Sequence, residues 1–265
     1  MFNLIKAELY KMSKMTSIYI SFLICCVSAI GVTYVLYGIN QGTFELEMST
    51  NVSLLGDSML VSLLGGILSG VLIAGDFTNK NIHSQIVCGK GRLAIILSKF
   101  FAFAIGMVFI TLPYVITSVI GFATEMDCHD LIGVPSQFMD VLTNADGVEV
   151  NGGHIAKAVL VVLLIVFLYI ARLSICIPVA FKTKKTIPVI ITGFVSAFLF
   201  DIISSAVSSV DGISDFFSAL PYSMMTECTM SVDTEGVIKI LISGIVFTAA
   251  MLAITFAMFR KDEVK

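Results

Sequence analysis

The sequence predicts an all-α integral membrane protein, and three observations lead to that prediction. Hydrophobic residues make up 57% of the 265-residue chain, and the mean hydropathy is +0.98. Only 13% of the residues are charged, against about 25% in soluble domains. Six apolar segments each reach the length of about 20 residues that crosses a bilayer as a helix. Because so few charged side chains cannot cover a water-exposed surface, residues 1–265 are predicted to form a single transmembrane domain.

Residues 1–16 are predicted to form an amphipathic helix that lies in the membrane interface. Phe2, Ile5, Leu9 and Met12 recur at helical spacing, while the lysines of this stretch fall elsewhere around the helix. Such a helix buries its apolar side at the acyl boundary and extends its lysines toward lipid phosphates. The alternative is an ordinary basic flank that sets the topology. A cleaved signal peptide is not predicted, because the following apolar run is long enough to span and lacks a clear cleavage site.

Six membrane-spanning helices are predicted to follow. Their bounds, to within a few residues, are 17–39, 54–74, 100–122, 158–180, 187–207 and 237–259. An even number of spans places both termini on the same side of the membrane. In the second span, Gly66 and Gly70 form a small-residue face of the kind that lets helices approach closely. This face is either a packing surface within one subunit or a seam between two subunits.

The distribution of charge predicts on which side of the membrane the two termini lie. Thirteen of the 16 basic residues lie in the N-terminal stretch, in the loop 76–99, in residues 182–185 and in the C-terminal tail. The loops on the other side, 123–157 and 208–236, are acidic. Short loops rich in Lys and Arg stay in the cytoplasm. Both termini and the loop 76–99 are therefore predicted to be cytoplasmic.

Two charged residues lie within predicted spans, Arg172 and Asp201. At about 1.5 Å per residue, Arg172 is about 12 Å and Asp201 about 21 Å from the inner ends of their helices. The difference of about 9 Å is more than a direct salt bridge spans comfortably, although an arginine side chain is long. We expect Arg172 to extend inward or to meet Asp76, and Asp201 to lie near the outer polar region. A static pair of the two is the alternative, and intramembrane charges suggest a functional role by default.

The two large outer loops differ in composition. Residues 123–157 have the composition of a solvated acidic loop without the ligand spacing of a zinc site, so no metal site is predicted. Cys128 and Cys228 are the two cysteines predicted to lie outside, and a disulfide between them is geometrically open. Residues 208–236 alternate polar and apolar side chains and are interrupted at Pro221. Because they are too short to span twice and too apolar for a free loop, they are predicted to form re-entrant outer helices.

The cytoplasmic loop 76–99 is polar and basic between two apolar spans. One carboxylate faces four basic residues there: Asp76 against Lys80, Lys90, Arg92 and Lys99. Residues 78–87 contain no Gly or Pro and are predicted to form a short helix at the membrane surface. The loop is therefore predicted to be a docking surface for a cytoplasmic partner.

The sequence contains no recognisable catalytic motif. Neither H-E-x-x-H nor G-x-S-x-G is present. Gly89-Lys90-Gly91 resembles a phosphate-binding loop only superficially, because Ser or Thr does not follow the lysine and the upstream glycine is missing. The chain is therefore not predicted to be an enzyme or to bind a cofactor. If ATP drives its action, a different polypeptide binds the nucleotide.

The order of these segments resembles the membrane (permease) subunit of a type-2 ABC exporter, most of all the lantibiotic and bacteriocin immunity and peptide-export group. The resemblance rests on the basic amphipathic start, the six spans and four short motifs: Gly75-Asp76-Phe77, Asn79-Lys80-Asn81-Ile82, Gly89-x-Gly91-Arg92 and Ser98-Lys99. In that family this stretch contains the coupling helix that docks on the ATPase. The coupling residues that the resemblance implies are Asp76, Phe77, Asn79, Lys80, Ile82, Gly89, Arg92 and Lys99.

The resemblance also implies partners, a location and a cargo. The partners would be two ABC ATPase subunits that bind ATP and Mg, a second copy of the chain or a sister permease, and the lipid bilayer, but no nucleic acid. The location would be the bacterial plasma membrane. The cargo would be hydrophobic or amphipathic, for example an antimicrobial peptide. Two alternatives remain: an ion- or proton-coupled secondary transporter, and a non-transporting membrane sensor or assembly subunit.

Overall fold

The computed structural model describes residues 2–40, 57–123, 137–138, 152–207 and 217–261. Within these ranges the chain is helical and contains no β-strand, which confirms the all-α prediction. In chain order the helices are α1 (Phe2–Ser13), α2 (Thr16–Asn40), α3 (Asp57–Ser69), α4 (Gly75–Thr78), α5 (Asn81–Val87), α6 (Arg92–Ala123), α7 (Gly152–Leu173), α8 (Cys176–Thr183), α9 (Thr186–Val207), α10 (Met224–Glu227) and α11 (Thr234–Lys261). A π-helical turn, Gly70–Ala74, joins α3 to α4.

Five helical stretches of the described chain are long and apolar enough to cross a membrane. They are Thr16–Val35, Asp57–Thr78, Arg92–Phe122, Gly152–Thr183 and Thr234–Arg260, and they coincide with five of the six predicted spans. The remaining predicted span falls on α9, whose described apolar part, Thr186–Phe200, is shorter. The whole of α9 has 22 residues, or about 33 Å at about 1.5 Å per residue. These helices are compatible with a multi-pass membrane protein, and the count of six spans stays a prediction.

The second predicted span packs against α9 through glycines. A Cβ added to Gly193 would lie 2.7 Å from the Cα of Gly66, and one added to Gly66 would lie 3.0 Å from the carbonyl oxygen of Ile190. At Gly70 the added Cβ would lie 3.0 Å from Cγ2 of Thr186. Because only hydrogen atoms fit at this crossing, the small-residue face is a packing surface within one subunit.

The fourth predicted span is interrupted by a turn at Ser174 and Ile175 between α7 and α8. Pro178 accounts for this turn, since it has no N–H to donate to the carbonyl of Ser174 four residues earlier. The Ser174 carbonyl instead accepts the N–H of Ile177 at 3.0 Å, in a tighter turn. The break begins two residues after Arg172, at Ser174.

Aromatic side chains join the helix ends that are predicted to face the cytoplasm. Phe77 of α4, Phe181 of α8 and Phe259 of α11 pack edge to face, with ring centroids 5.0 to 6.4 Å apart. At the start of α6, Arg92 lies over the ring of Phe259, 5.4 Å from its centroid. Its Nη1 donates to the carbonyl oxygens of Phe259 and Arg260, both at 2.6 Å. These are C-terminal carbonyls of α11, where a cation complements the helix dipole.

At the opposite helix ends, a carboxylate holds residues 137–138 of the acidic loop that is predicted to lie outside. Asp57, at the start of α3, is fully buried and accepts the backbone N–H groups of Gln137 at 2.9 Å and Phe138 at 2.7 Å. The ring of Phe138 stacks on Tyr114 and Tyr169, with centroids 5.5 and 5.7 Å away. This part of the loop predicted to be solvated is therefore packed onto the helices.

Candidate functional site

A buried group of charged side chains lies at the end of the second predicted span. The Asp76 carboxylate accepts hydrogen bonds from the ammonium groups of Lys11 and Lys99 and from the Asn81 amide at 3.0 Å. Lys99 also forms a salt bridge with Glu8 at 2.6 Å. We call the four charged residues Glu8, Lys11, Asp76 and Lys99 the ion cluster.

The ion cluster joins three elements, α1, α4 and α6, and Asp76 lies 65 residues after its partner Lys11. Glu8 and Lys11 are on α1, Asp76 is on α4 and Lys99 is on α6. The short helix α5 joins through two amides, because Asn81 donates to Asp76 and Gln85 Nε2 donates to Glu8 Oε1 at 3.0 Å. Every charged member of the cluster thus contacts a residue from another element.

Burial makes this pairing necessary. The relative exposure is 0% for Lys99, 1% for Asp76 and 3% for Glu8, whereas the Lys11 side chain is 29% exposed. Two carboxylates face two ammonium groups, so the cluster is formally neutral. A buried charge that loses its partner is strongly destabilising. The three elements are therefore held together by interactions that cannot be removed one at a time without a large cost.

The short helix α5 has one buried and one exposed side. Ile82 is fully buried and Gln85 bonds to the ion cluster. The exposed side chains around it include Asn79, Lys80, Ser84, Val87 and Lys90, and Val87 is 86% exposed. We call these five residues the α5 surface. They form a basic surface with an apolar side chain in it.

The ends of α5 are set by two residues with positive φ. Lys80, which precedes the helix, has φ 56°, and Gly89, which follows it, has φ 76°. A left-handed conformation at Gly89 costs little because glycine lacks a Cβ. The N–H of Gly89 donates to the carbonyl of Ile86 at 2.9 Å and closes the last turn. The glycine of the sequence motif thus ends the helix sharply.

The eight predicted coupling residues fall into three groups. Asp76 and Lys99 meet in the ion cluster. Phe77 and Arg92 contact the C-terminal end of α11 instead. The remaining four lie on or beside α5. Asn79 and Lys80 are exposed, Ile82 is buried on the inner side of the helix, and Gly89 follows its C-terminal end with a positive φ.

Sequence reasoning missed two members of the cluster. Glu8 is not among the predicted site residues, and Lys11 is predicted to extend from the polar side of the interfacial helix toward lipid phosphates, whereas in the structure it bonds to Asp76. The signal for Glu8 was present, since it follows Ile5 and precedes Met12 on the apolar side of α1. A carboxylate on an apolar helix side requires a partner when it is buried.

The expectation for Arg172 is wrong. Arg172 is 2% exposed and does not contact Asp76. Its guanidinium donates to the Ala197 carbonyl at 3.2 Å and to Met225 Sδ at 3.2 Å, and it lies 4.8 Å from the centroid of the Tyr222 ring. The segment after α9 reaches this side chain, so the guanidinium has polar and aromatic neighbours there and need not extend inward. The Asp201 side chain lies outside the described residues, so its position stays a prediction.

Tyr222 and Cys228 both lie on the predicted re-entrant segment. The Tyr222 hydroxyl donates to the carbonyl of Arg172 at 2.9 Å, and its ring stacks on Phe200 with a centroid distance of 3.9 Å. Cys228 is buried, and its Sγ lies 3.8 Å from the carbonyl oxygen of Val161. Burial raises the pKa of the Cys228 thiol to about 12. Cys128 lies outside the described residues, so the disulfide stays a prediction.

No group of three or more His, Cys, Asp or Glu side chains is placed to hold a metal ion in the described part of the chain. Comparison of the sequence with protein-family models finds no match, and comparison with curated proteins finds none either.

Proposed function

We propose that the protein is the permease subunit of an ATP-driven exporter and that its ATPase partner docks on the α5 surface. The observation that carries the proposal is the ion cluster, which ties α5 to α1, α4 and α6. A force applied to α5 from outside would reach two apolar helices through short, buried contacts. This is the mechanical requirement for a subunit that lacks its own nucleotide site.

The α5 surface suits a protein partner for two reasons. Lys80 and Lys90 offer positive charge to an acidic surface, which steers association. Val87 is almost fully exposed, and an apolar side chain amid polar neighbours fits the buried centre of an interface. Ile82 and Gln85 hold the opposite side of α5 in place, so the surface is rigid before the partner binds.

The cargo and the assembly follow from the same proposal. Two chains, identical or sister permeases, would pair in the bacterial plasma membrane and recruit two ATPase subunits. The ATPase subunits would bind ATP and Mg and would move the membrane helices of the two permeases apart and together. The cargo would be hydrophobic or amphipathic, such as an antimicrobial peptide, because few charged side chains lie in the apolar helices.

The test is co-purification of an ATPase with the tagged protein from its native membranes. Lys80→Glu combined with Val87→Asp changes only exposed side chains and leaves the ion cluster intact. Lys182→Glu is the control, since Lys182 is exposed on the neighbouring predicted inner loop. We expect an ATP-hydrolysing partner with the wild type and the control, and its loss in the double variant. A folded wild-type protein that brings down no ATPase would refute the proposal.

The buried carboxylates also support a second candidate, an ion- or proton-coupled secondary transporter. Asp76 and Glu8 are buried and already paired with lysines, and buried carboxylates of this kind can carry protons in transporters. Purified protein in liposomes, without any ATPase, distinguishes the two. Transport driven by an imposed ion gradient would favour this candidate, and transport that requires the ATPase and ATP would favour the exporter.

A further inference from the structure

A groove separates residues 218–227 from α11. Its volume is about 710 Å³, within the range of about 300–1,000 Å³ that is typical of small-ligand sites. The walls are mainly apolar and include Leu220, Met224, Val246 and Phe247. Two charged side chains, Glu227 and Lys239, also line it. We call this feature the α11 groove.

The groove is formed by fixed residues. Ser243 Oγ of α11 donates to the Ala219 carbonyl across it at 2.5 Å. Behind the wall, Tyr222 packs edge to face on Phe247 at 6.0 Å and stacks on Phe200 at 3.9 Å. Its hydroxyl donates to the carbonyl of Arg172. A ligand would therefore find the groove already shaped.

Charge and exposure indicate the kind of ligand. Glu227 and Lys239 are both exposed, and neither forms a salt bridge within the described ranges. The groove continues onto the apolar face of α11, where Ile242, Ile245 and Val246 are more than half exposed. A membrane-spanning helix turns such a face toward lipid chains. One anionic and one cationic side chain thus stand beside a surface that lipid tails cover.

We propose that the α11 groove binds a phospholipid with an amine head group from the adjacent leaflet. Its phosphate pairs with Lys239, its ammonium donates to Glu227, and its chains lie along Ile242 and Val246. A purely anionic head would leave Glu227 facing negative charge. A choline head would satisfy the charge but has no N–H to donate to the carboxylate. This inference depends on the membrane placement of α11 and is independent of the ATPase.

The test measures which lipids stay bound to the purified protein. Delipidated protein is exposed to equal amounts of phosphatidylethanolamine, phosphatidylcholine and phosphatidylglycerol with matched chains, and bound lipid is counted by native mass spectrometry. We expect phosphatidylethanolamine to be retained preferentially. Because a charge-assisted hydrogen bond supplies the difference, Lys239→Gln and Glu227→Gln should each weaken its binding about tenfold.

Matched variants on the same surface serve as controls. Lys157→Gln and Glu235→Gln remove the same charges from positions that do not line the groove. Ala250→Trp fills the groove, whereas the neighbouring Ala249→Trp adds the same ring outside it. Lipid binding should fall with Ala250→Trp and stay unchanged in the three controls.

Three results would overturn the inference. Equal retention of the three lipids would mean that the groove recognises only apolar area. Preference for phosphatidylglycerol would mean that Lys239 acts alone. Equal losses in the groove variants and their controls would mean that the variants act through general destabilisation. None of these results bears on ATPase docking, because no ATPase is present.

Discussion

The ion cluster allows one prediction to be worked out in detail, a double-mutant cycle on Asp76 and Lys99. Asp76→Asn keeps the shape of the side chain but removes the charge that faces Lys11 and Lys99. Lys99→Met keeps the length but leaves two buried carboxylates opposite Lys11. Removing one partner of a buried ion pair costs about 3–5 kcal/mol. In the double variant Glu8 and Lys11 remain, so the cluster is formally neutral again.

The expected loss of stability depends on which contacts of the ion cluster remain in each variant. In Asp76→Asn, Lys99 keeps Glu8 at 2.6 Å and Lys11 is partly exposed, so the cost should be near the lower value, about 3 kcal/mol. With about 2–4 °C per kcal/mol for a chain of this size, the melting temperature should fall by about 6–12 °C. The double variant should lose clearly less than the two single variants together, with a coupling of about 1–3 kcal/mol.

Thermal unfolding in one detergent provides the assay. The chain has no tryptophan, so far-UV circular dichroism of the helices is the suitable signal. Lys182→Met and Asp233→Asn make the same chemical changes at exposed positions and should leave the melting temperature nearly unchanged. If the double variant loses the full sum of the single losses, Asp76 and Lys99 do not stabilise each other and the reasoning is refuted.

Three further predictions concern packing, reactivity and capping. Gly193→Ala should lower the free energy of unfolding by about 1–3 kcal/mol, because the new Cβ would lie 2.7 Å from the Cα of Gly66. Gly31→Ala is the control and should leave stability unchanged, because nothing lies within 4 Å of its Cβ. Thermal unfolding of the two variants measures the difference. Cys88 is exposed and should react with maleimide near neutral pH. Cys228 is buried, which raises the pKa of its thiol, so it should stay unmodified under the same conditions, because only the thiolate reacts; rapid labelling of Cys228 near neutral pH would contradict the structure. Arg92→Gln should cost about 1–3 kcal/mol through two lost charge-assisted bonds, and hydrogen exchange should rise first in the last turn of α11.

Sequence patterns were sufficient for the broad architecture. Five of the six predicted spans coincide with helices that are long and apolar enough to cross a membrane, because composition over about 20 residues is a local property. The short helix in the loop 76–99 is also local, since it follows from the absence of helix breakers; it is predicted over 78–87 and is found at Asn81–Val87, shortly before the left-handed Gly89. Orientation and the sixth span are predictions of the same kind.

What the sequence left open concerns contacts between distant residues. Gly66 and Gly70 permitted packing within a subunit or between subunits, and only the position of Gly193 on α9 decided it. Asp76 and Lys99 were singled out, but their connection to Glu8 requires α1 to lie beside α6. Periodicity predicts which side of a helix is apolar and carries no information on which helix covers it.

The sequence by itself determined that this protein is an all-α chain with apolar helices long enough to cross a membrane, since hydropathy and length are additive along the chain. Only the tertiary structure decided the partners of its buried charges. Arg172 illustrates the reason: counting residues predicted an inward direction, whereas Tyr222 and Met225, about 50 residues later in the chain, surround the guanidinium. A buried charge lies where long-range packing supplies partners, and no local pattern specifies that place.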